Sequence, residues 1–222
     1  MPLAELHAAC ACARALLVPP HNVSRVIARP FVGVPGDWRR TSNRRDFSVT
    51  SPAETLLDAL AAAGIARTGV GKVDDLFARR NLEGGHTTSN AEGIVRIGEW
   101  LAQGDGFCFA NLVDFDQAYW HRNDAPGFYG ALREFDAALP TLLAALQQED
   151  LLFVTADHGN DPTTSSTDHA RENVPVLVFG PRVRPVALGL RPTFSDLGAT
   201  VAEWMGIGFR GRGTSFLPAI LG

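Results

Sequence analysis

Several features that define particular classes of protein are scarce or absent in this sequence of 222 residues. Its three cysteines, Cys10, Cys12 and Cys108, are an odd number without a C-x-x-C pair, so we expect no disulfide framework and a reducing, cytoplasmic location. No apolar run approaches the roughly 20 residues that span a bilayer, and the amphipathic, charged start is not typical of a secretory signal. A formal net charge of −4 gives no overall bias toward nucleic acid or anionic membranes. We therefore expect no nucleic-acid partner and no membrane partner.

What is present is the composition of a globular protein, with 45% hydrophobic and 20% charged residues and a chain long enough for a proper core. Residues 1–50 are predicted to contain a helix over 3–17 and then the apolar segment VSRVIARPFVG as one strand. The segment that follows, rich in arginine and turn-forming residues, is predicted to be a loop or the outer part of a small subdomain. The pattern changes at Ser51, from which strands and helices alternate. This alternation predicts a doubly wound α/β sheet from about residue 51 onward.

Helix caps and apolar runs mark the elements of this second region. Ser51-Pro52-Ala53-Glu54 predicts a capped helix that ends at Gly64, and a second capping box at Ser89 opens another helix. The runs GFCFANLVDF, LLFVTA and VPVLVFG are typical of strands buried on both faces of a parallel sheet. A long helix between the first two runs is predicted to bury one apolar face, formed by Phe128, Leu132, Phe135, Leu139, Leu142 and Leu146.

Acids and histidines follow two of these predicted strands. Asp114 lies at the end of the first run, and Asp116 and His121 follow it. The second run leads into Asp157, His158 and Asp161, and then into Asp168-His169. Ligands of open α/β sheets bind beyond the carboxyl ends of the strands. Mixed carboxylate and imidazole ligands suit manganese, iron or zinc, and a two-metal cluster orients a phosphoryl group and stabilises its entering and leaving oxygens.

An ordinary structural explanation competes with this one. An aspartate after a strand often caps a helix, and a histidine beside an aspartate often forms only a hydrogen bond, so each residue alone is weak support. Five such residues at the strand ends of one sheet favour a metal site: Asp116, His121, Asp157, His158 and His169.

Three longer stretches carry a family resemblance: FANLVDFDQAYWHRNDAPGFYGALREFDAALP, TADHGNDPTTSSTDHARENVPVLVFGP, and RVIARPFVG with RTSNRRDFSV. They resemble phosphopentomutase, a family of the alkaline phosphatase superfamily whose relatives include cofactor-independent phosphoglycerate mutase. The resemblance implies an alkaline phosphatase-like, doubly wound and mostly parallel core with a small α+β cap. It also implies a cytoplasmic, manganese-dependent mutase that interconverts ribose 1-phosphate and ribose 5-phosphate, and the deoxyribose pair.

The same resemblance assigns site residues and cofactors. Asp116, His121 and His169 match the ligands of one manganese ion, and Asp157 and His158 match ligands of a second. Sugar-phosphate binding would fall to Arg25, Ile27 and Lys72, with Arg44 and Arg45 as further candidates for anion binding. For the arginines and the lysine, a solvated or strand-lining role stays an open alternative. The GVGK stretch around Lys72 also lacks the spacing of a nucleotide-binding loop.

The resemblance implies that this chain matches only the carboxyl-terminal part of the family. Residues 1–50 would be the rear portion of the cap, and residues 51–222 the second part of an incomplete core. The nucleophilic threonine, another metal-binding aspartate and the first core strand have no counterpart in the sequence, so no catalytic residue is assigned here. We expect weakened metal binding and an exposed sheet interior, which a separate amino-terminal chain or self-association would cover.

Three substitutions depart from the family pattern. Trp120 and Ser166 stand where the family usually has glycine, and Ala170 stands where it has threonine. A tryptophan beside a metal ligand is expected to narrow the site, and the loss of glycine to stiffen or re-aim the loop.

The leading hypothesis is therefore a phosphopentomutase-type phosphotransferase that acts on a sugar phosphate, uses a bisphosphorylated sugar activator and has two manganese ions. One alternative is a non-catalytic, metal-binding remnant or partner subunit of a split mutase. Another is a metal-dependent phosphatase of the same superfamily. A nucleic-acid binder that uses the RRTSNRRD segment is disfavoured, because no aromatic residues are interleaved with its arginines.

Overall fold

The computed structural model describes residues 1–41 and 43–221, so that Ser42, in the arginine-rich segment, and Gly222, at the end of the predicted core, lie outside the described residues. The chain forms two compact units. The first comprises Met1–Glu54 and Asp74–Arg80, and the second comprises Thr55–Val73 and Asn81–Gly222. Within the described part of the chain, no helix combines the length and apolar character needed to cross a membrane.

The first unit contains one helix and two antiparallel strand pairs. Helix α1 (Leu3–Leu16) packs against β1 (Arg25–Ala28) and its partner strand β4 (Arg45–Ser48). A hairpin, β2 (Phe31–Val34) and β3 (Asp37–Arg40), lies between them in sequence. The predicted helix over 3–17 is confirmed.

The prediction of a single strand over VSRVIARPFVG is wrong, because the segment forms both β1 and β2. Pro30 lies between the two strands and has no N–H with which to continue a ladder. The arginine-rich segment contains β3 and β4 of the first unit, which favours the prediction of a small subdomain over that of a loop.

The second unit is built on a three-stranded parallel sheet in the order β6-β5-β7. Its strands are β5 (Arg67–Val70), β6 (Glu83–Gly85) and β7 (Phe107–Ala110). The helices in this stretch of chain are α2 (Leu56–Ala62) and α4 (Asn90–Gln103), together with the short α3 (Val73–Leu76), most of which belongs to the first unit. The predicted alternation of strands and helices is confirmed here.

The remainder of this unit is arranged differently from the prediction. Helix α5 (Ala125–Ala145) leads to β8 (Leu152–Thr155) and β9 (Val176–Phe179), and helices α6 (Ser195–Trp204) and α7 (Leu217–Ile220) follow. Strands β8 and β9 pair antiparallel, with Leu152 opposite Phe179, and not as members of a parallel sheet. Their connection contains no crossover helix, which a parallel pair would require.

Two helix predictions need correction in detail. Helix α2 begins at Leu56 and not at Pro52, because Thr55 and Asp58 form a complete reciprocal capping box, while the Ser51 hydroxyl donates to the Ala53 carbonyl. In α5 the buried side chains are those of Ala131 and Leu142, whereas Leu132, assigned to the apolar face, is 46% exposed. The period of the apolar residues therefore identified the helix, but not all of its buried positions.

A buried polar network holds the end of the second unit together. The Asp196 carboxylate accepts hydrogen bonds from Arg191 Nε and from the backbone N–H of Thr214, each at 2.8 Å. The Thr200 hydroxyl donates to the Asp196 carbonyl at 2.7 Å and accepts from the Phe216 N–H at 3.0 Å. These bonds join α6 to the segment before α7. Phe216, Leu217 and Ile220, at and within α7, pack against apolar side chains of β8 and β9.

Replacing Asp196 by asparagine should therefore lower the free energy of unfolding by about 2 kcal/mol, because two donors then face a neutral amide that cannot accept from both as a carboxylate does. Urea unfolding followed by circular dichroism measures this. Asp136→Asn, at an exposed position on α5, is the matched control and should change the stability by less than about 0.5 kcal/mol. Equal stabilities of the two variants would show that the Asp196 network is not stabilising.

Candidate metal centre

The backbone after β7 forms an unusual helical turn that brings two candidate ligands together. Residues Phe115–Tyr119 form a π-helix, and Trp120–Arg122 form a 3-10 turn. Asp116 and His121 are five residues apart, which in an α-helix would place them about 140° apart around the axis. The wider π-turn, in which the Trp120 N–H donates to the Phe115 carbonyl, brings side chains at this spacing toward one face. Asp116 Oδ1 lies 3.3 Å from His121 Nε2.

The two Asp-His pairs of the loop between β8 and β9 are joined by a backbone bridge. The Gly159 N–H donates to the Ala170 carbonyl at 3.2 Å, and the Ala170 N–H donates to the Gly159 carbonyl at 2.9 Å. Each bridging residue directly follows a histidine. The imidazoles of His158 and His169 consequently stack, with ring centroids 3.9 Å apart and planes inclined by 27°.

The two halves of the site meet at one carboxylate oxygen. Asp116 Oδ1 lies 3.3 Å from His169 Nε2, the same distance that separates it from His121 Nε2. One ligand atom from each of Asp116, His158 and His169 falls within 4.8 Å of the other two. The structure thus gathers one carboxylate and three imidazoles, from stretches distant in sequence.

Backbone carbonyls orient two of these imidazoles. His121 Nδ1 lies 3.1 Å from the Thr167 carbonyl oxygen, and His158 Nδ1 lies 3.4 Å from its neighbour's carbonyl oxygen, that of Gly159. Because a carbonyl only accepts, Nδ1 of His121 carries hydrogen and its Nε2 is left to face the carboxylate of Asp116. A lone pair facing an anion is unfavourable unless a proton or a metal ion lies between them. This is the arrangement in which a carbonyl orients a metal-binding histidine.

The donor set fits a divalent transition metal. Bonds from such ions to imidazole nitrogen or carboxylate oxygen are about 2.0–2.2 Å long, so ligand atoms of one ion are roughly 3–4.5 Å apart. The distances of 3.3 Å from Asp116 Oδ1 to His121 Nε2 and to His169 Nε2 fall within this range. One ligand atom of His158 lies within 4.8 Å of those of Asp116 and His169. Three imidazoles disfavour calcium and magnesium, which prefer oxygen ligands throughout.

The remaining acids of these stretches have different surroundings. Asp157 is a more peripheral candidate, since its side chain is 65% exposed and its Oδ1 lies 3.6 Å from His158 Nε2. Asp114 has a structural role: its carboxylate accepts from the Asn90 N–H at 2.7 Å, and its own N–H donates to the Asn90 side chain at 2.8 Å. The hydroxyl and backbone N–H of Thr163 donate to Asp161 and hold the pKa of that carboxyl below its usual range.

Two of the predicted sugar-phosphate ligands lie on one strand of the first unit. Arg25 and Ile27 are on β1, and Arg25 Nη1 donates to Asp46 Oδ2 at 3.3 Å. Asp46 also receives two hydrogen bonds of 2.8 Å from Arg44. Burial raises the pKa of the Asp46 carboxyl, but the hydrogen bonds and charge of Arg44 and the charges of Arg25 and Arg29 outweigh burial and hold it below its usual value. Arg25 and Arg44 are therefore oriented by a permanent carboxylate, whereas Arg45 lies over the Phe47 ring.

Lys72 lies in the second unit, just beyond the carboxyl end of the central strand β5. It is the one lysine in the sequence. The preceding residue, Gly71, has φ of +85°, and a Cβ there would lie 2.2 Å from the Asn111 carbonyl oxygen. The glycine lets the chain turn closely past the segment after β7, which leads to Asp116.

The three substituted positions have distinct surroundings. Trp120, which was expected to narrow the site, is buried, with the residue 1% exposed, and its ring lies against those of His121 and His169. Ser166 accepts a hydrogen bond from the Asp168 N–H at 3.1 Å, which fixes the loop before His169. Ala170 participates through its backbone, so the loss of a threonine side chain leaves the bridge to Gly159 in place.

Sequence reasoning did not identify Gly159 and Glu172 as supports of the site. A Cβ on Gly159 would lie 2.6 Å from Glu172 Oε2 and 3.0 Å from the Glu172 backbone nitrogen. Glycine directly after a candidate ligand, in the stretch DHG, was the available signal. Burial raises the pKa of the Cys108 thiol on β7 to about 11, which disfavours the nucleophilic thiolate form.

A metal-binding α/β protein is the class that this fold and this cluster define. The sequence model of the Metalloenzyme superfamily matches residues 41–208, and the chain belongs to that superfamily. Among solved structures, the fold resembles that of phosphoglycerate mutase from Leishmania mexicana, with a TM-score of 0.56 and 18% identity over 72% of this chain and 38% of that one. It also resembles the PH0037 protein of Pyrococcus horikoshii, with a TM-score of 0.50 and 15% identity over 80% of this chain and 52% of that one. The predicted alkaline phosphatase-like fold class is thereby confirmed.

Curated relatives are much closer in sequence. The phosphopentomutase of Anaeromyxobacter sp. strain K is 52% identical over 99% of this chain and 57% of its own length. The phosphopentomutase of Dictyoglomus turgidum is 51% identical over 99% of this chain and, again, 57% of its own length. The predicted resemblance to phosphopentomutases is confirmed. The chain spans little more than half the length of these relatives.

Replacing Gly159 by alanine should loosen the centre, because the new methyl group would force Glu172 and its backbone away. We expect a loss of about 1–3 kcal/mol in the free energy of unfolding, measured with urea. Gly130→Ala is the matched control, since a Cβ on this α5 glycine would point into open space, and it should stabilise the protein by about 0.5–1 kcal/mol. A stabilising effect of both substitutions would contradict a tight contact at Gly159.

Proposed function

We propose that this chain is the metal-binding part of a phosphopentomutase-type phosphotransferase that converts ribose 1-phosphate or deoxyribose 1-phosphate to the 5-phosphate. The observation that carries the proposal is the pair of imidazole Nε2 atoms, from His121 and His169, that lie 3.3 Å from one oxygen of Asp116. The identity of about 50% to phosphopentomutases along 99% of the chain supports the substrate class.

The ligands are divided between two manganese ions in this proposal. Asp116, His121 and His169 hold one ion, and Asp157 with His158 contributes to the other. The stacking of His158 on His169 supports neighbouring sites, since it brings the two ligand sets into contact. When bound, such ions neutralise phosphoryl charge and stabilise the entering and leaving oxygens of an in-line transfer.

The other residues bind and orient the sugar phosphate. Arg25 presents a planar fork of donors whose orientation Asp46 maintains, which suits phosphate oxygens. Lys72 supplies a localised positive charge at the carboxyl end of β5, the edge at which ligands of such sheets bind. Ile27, on the same strand as Arg25, provides an apolar contact for the sugar.

The two compact units correspond to a cap and a core in this scheme. Residues 1–50, which contain a helix and small antiparallel sheets, are the rear part of the cap, and residues 51–222 are the carboxyl-terminal part of the core. We infer a cytoplasmic enzyme of nucleoside and pentose phosphate catabolism that uses a bisphosphorylated sugar activator. The phosphoryl-accepting threonine is supplied by a segment outside the 222 residues, on this polypeptide or another.

Mutase activity tests the proposal directly. Conversion of ribose 1-phosphate to ribose 5-phosphate is measured with manganese and the bisphosphate activator, for the chain alone and after mixing with the amino-terminal segment of the Anaeromyxobacter relative. We expect turnover in the mixture, and a reduction of at least about 100-fold for His169→Ala, which removes a metal ligand. His21→Ala, at an exposed loop position of the first unit, is the matched control and should retain full activity.

Other outcomes identify the alternatives. A folded, manganese-loaded chain that turns over no substrate in either condition would favour the non-catalytic, metal-binding remnant or partner subunit. Release of inorganic phosphate without ribose 5-phosphate would favour a phosphatase of the same superfamily. Normal turnover by His169→Ala would contradict the assignment of the metal ligands.

A proposal about binding partners rests on the edges of β7 and β8, two strands that are each followed in sequence by residues of the metal centre. Among the described residues, β7 is paired only with β5 and β8 is paired only with β9, so one edge of each strand lacks a strand partner. Phe109 on β7 is 37% exposed. A strand edge without a partner is a template for a further strand. We propose that the amino-terminal part of the mutase, on a separate chain, supplies a strand to these edges. When that part is absent, the chain associates with itself.

Sedimentation velocity should therefore show concentration-dependent association of the chain. Phe109→Lys should reduce it, because a charge on an edge strand opposes pairing. Phe31→Lys, on the exposed hairpin of the first unit, is the matched control and should leave association unchanged. A monomer at all concentrations with a cooperative unfolding transition would contradict the proposal.

A further inference from the structure

The three histidines of the metal centre share one aromatic neighbour. The Trp120 ring centroid lies 4.7 Å from that of His121, 4.9 Å from that of His169 and 6.2 Å from that of His158. The indole stacks on His169 with an interplanar angle of 24°. A single side chain therefore contacts or approaches every imidazole of the cluster.

Trp120 is also the largest of the most deeply buried side chains in the described part of the chain. Trp120 begins the 3-10 turn, and its backbone N–H closes the π-turn by donating to the carbonyl oxygens of Phe115 and Asp116. Movement of this residue would shift both segments that supply ligands, since His121 follows it directly and His169 stacks on it.

The indole is held by packing and not by its polar atom. Among residues 1–41 and 43–221, Trp120 Nε1 is buried without a hydrogen-bond partner. A buried donor without a partner is costly, so the indole is tolerated here for its ring and not for its N–H. Phenylalanine would keep an aromatic face and remove the unsatisfied donor, whereas leucine would remove the face.

We propose that Trp120 is a positioning residue, whose ring fixes the orientation of the three imidazoles so that their nitrogens face the divalent metal sites to which they belong. The inference rests on the metal site of the proposed function. It does not depend on mutase activity, because it concerns metal affinity and ligand geometry alone.

Cobalt titration followed by visible absorption tests the proposal, because the d–d bands report ligand geometry. Trp120→Leu should weaken cobalt binding roughly 10–100-fold and change the band shape, as loss of ligand-orienting neighbours does. Trp120→Phe should restore the wild-type spectrum with an affinity within about threefold. Trp204→Leu is the control for general loss of packing, because it removes a partly buried tryptophan that packs against Phe216, Leu217 and Ile220. It should leave the spectrum unchanged.

Wild-type affinity and spectrum in Trp120→Leu would overturn the inference, and so would equal weakening by Trp204→Leu. Failure of the wild-type chain to bind cobalt would overturn both this inference and the proposed metal site. A folded wild-type chain that binds cobalt but lacks mutase activity would leave the inference supported and the proposed activity in doubt.

A second readout needs no destabilising change. Bound cobalt quenches the emission of nearby tryptophans, and the chain has four. We expect the quenched component of the emission to disappear in Trp120→Phe and to persist in Trp204→Phe. Quenching that is unchanged in Trp120→Phe would contradict the placement of the indole against the metal ligands.

Discussion

One oxygen atom, Oδ1 of Asp116, lies 3.3 Å from imidazole nitrogens of residues that are 5 and 53 positions away in sequence. These groups of the second unit need a positive charge between them. An anionic oxygen and imidazole nitrogens whose lone pairs face it repel one another unless a cation lies between them. The segment after β7 supplies the carboxylate and one imidazole, and the loop after β8 supplies the other two.

Irregular backbone positions these groups. A π-helix, a 3-10 turn and a left-handed Asn123 with φ of 51° occur within nine residues, Phe115–Asn123, and the Gly159–Ala170 bridge aligns the two Asp-His pairs. Uncommon conformations cluster at functional sites when the surrounding packing stabilises them. Here that packing includes Trp120 beneath the imidazoles and Glu172 against Gly159. The arginines of the first unit follow the same logic, since Asp46 orients Arg25 and Arg44.

The sequence predicted which residue types carry the chemistry more readily than it predicted strand pairing, hydrogen bonds and burial. Strand-end aspartates and histidines indicated residue types that the second unit brings together, at Asp116, His158 and His169, and the apolar runs identified β7, β8 and β9. Periodicity does not distinguish parallel from antiparallel pairing, so the β8–β9 pair was missed. A capping aspartate and a ligating aspartate look alike in sequence, so only the structure separates Asp114, which bonds to Asn90, from Asp116. The burial of Trp120 depends on tertiary contacts that no local pattern encodes.

Pulsed electron paramagnetic resonance of the manganese-loaded chain tests the central claim most directly, because it detects the nuclei bound to the ion. With histidines labelled by ¹⁵N, the account predicts hyperfine couplings from at least two imidazole nitrogens, and their loss when Asp116 is replaced by asparagine. Manganese coordinated by oxygen alone, with no nitrogen coupling in the folded protein, would show that Asp116, His121, His158 and His169 do not form a metal centre.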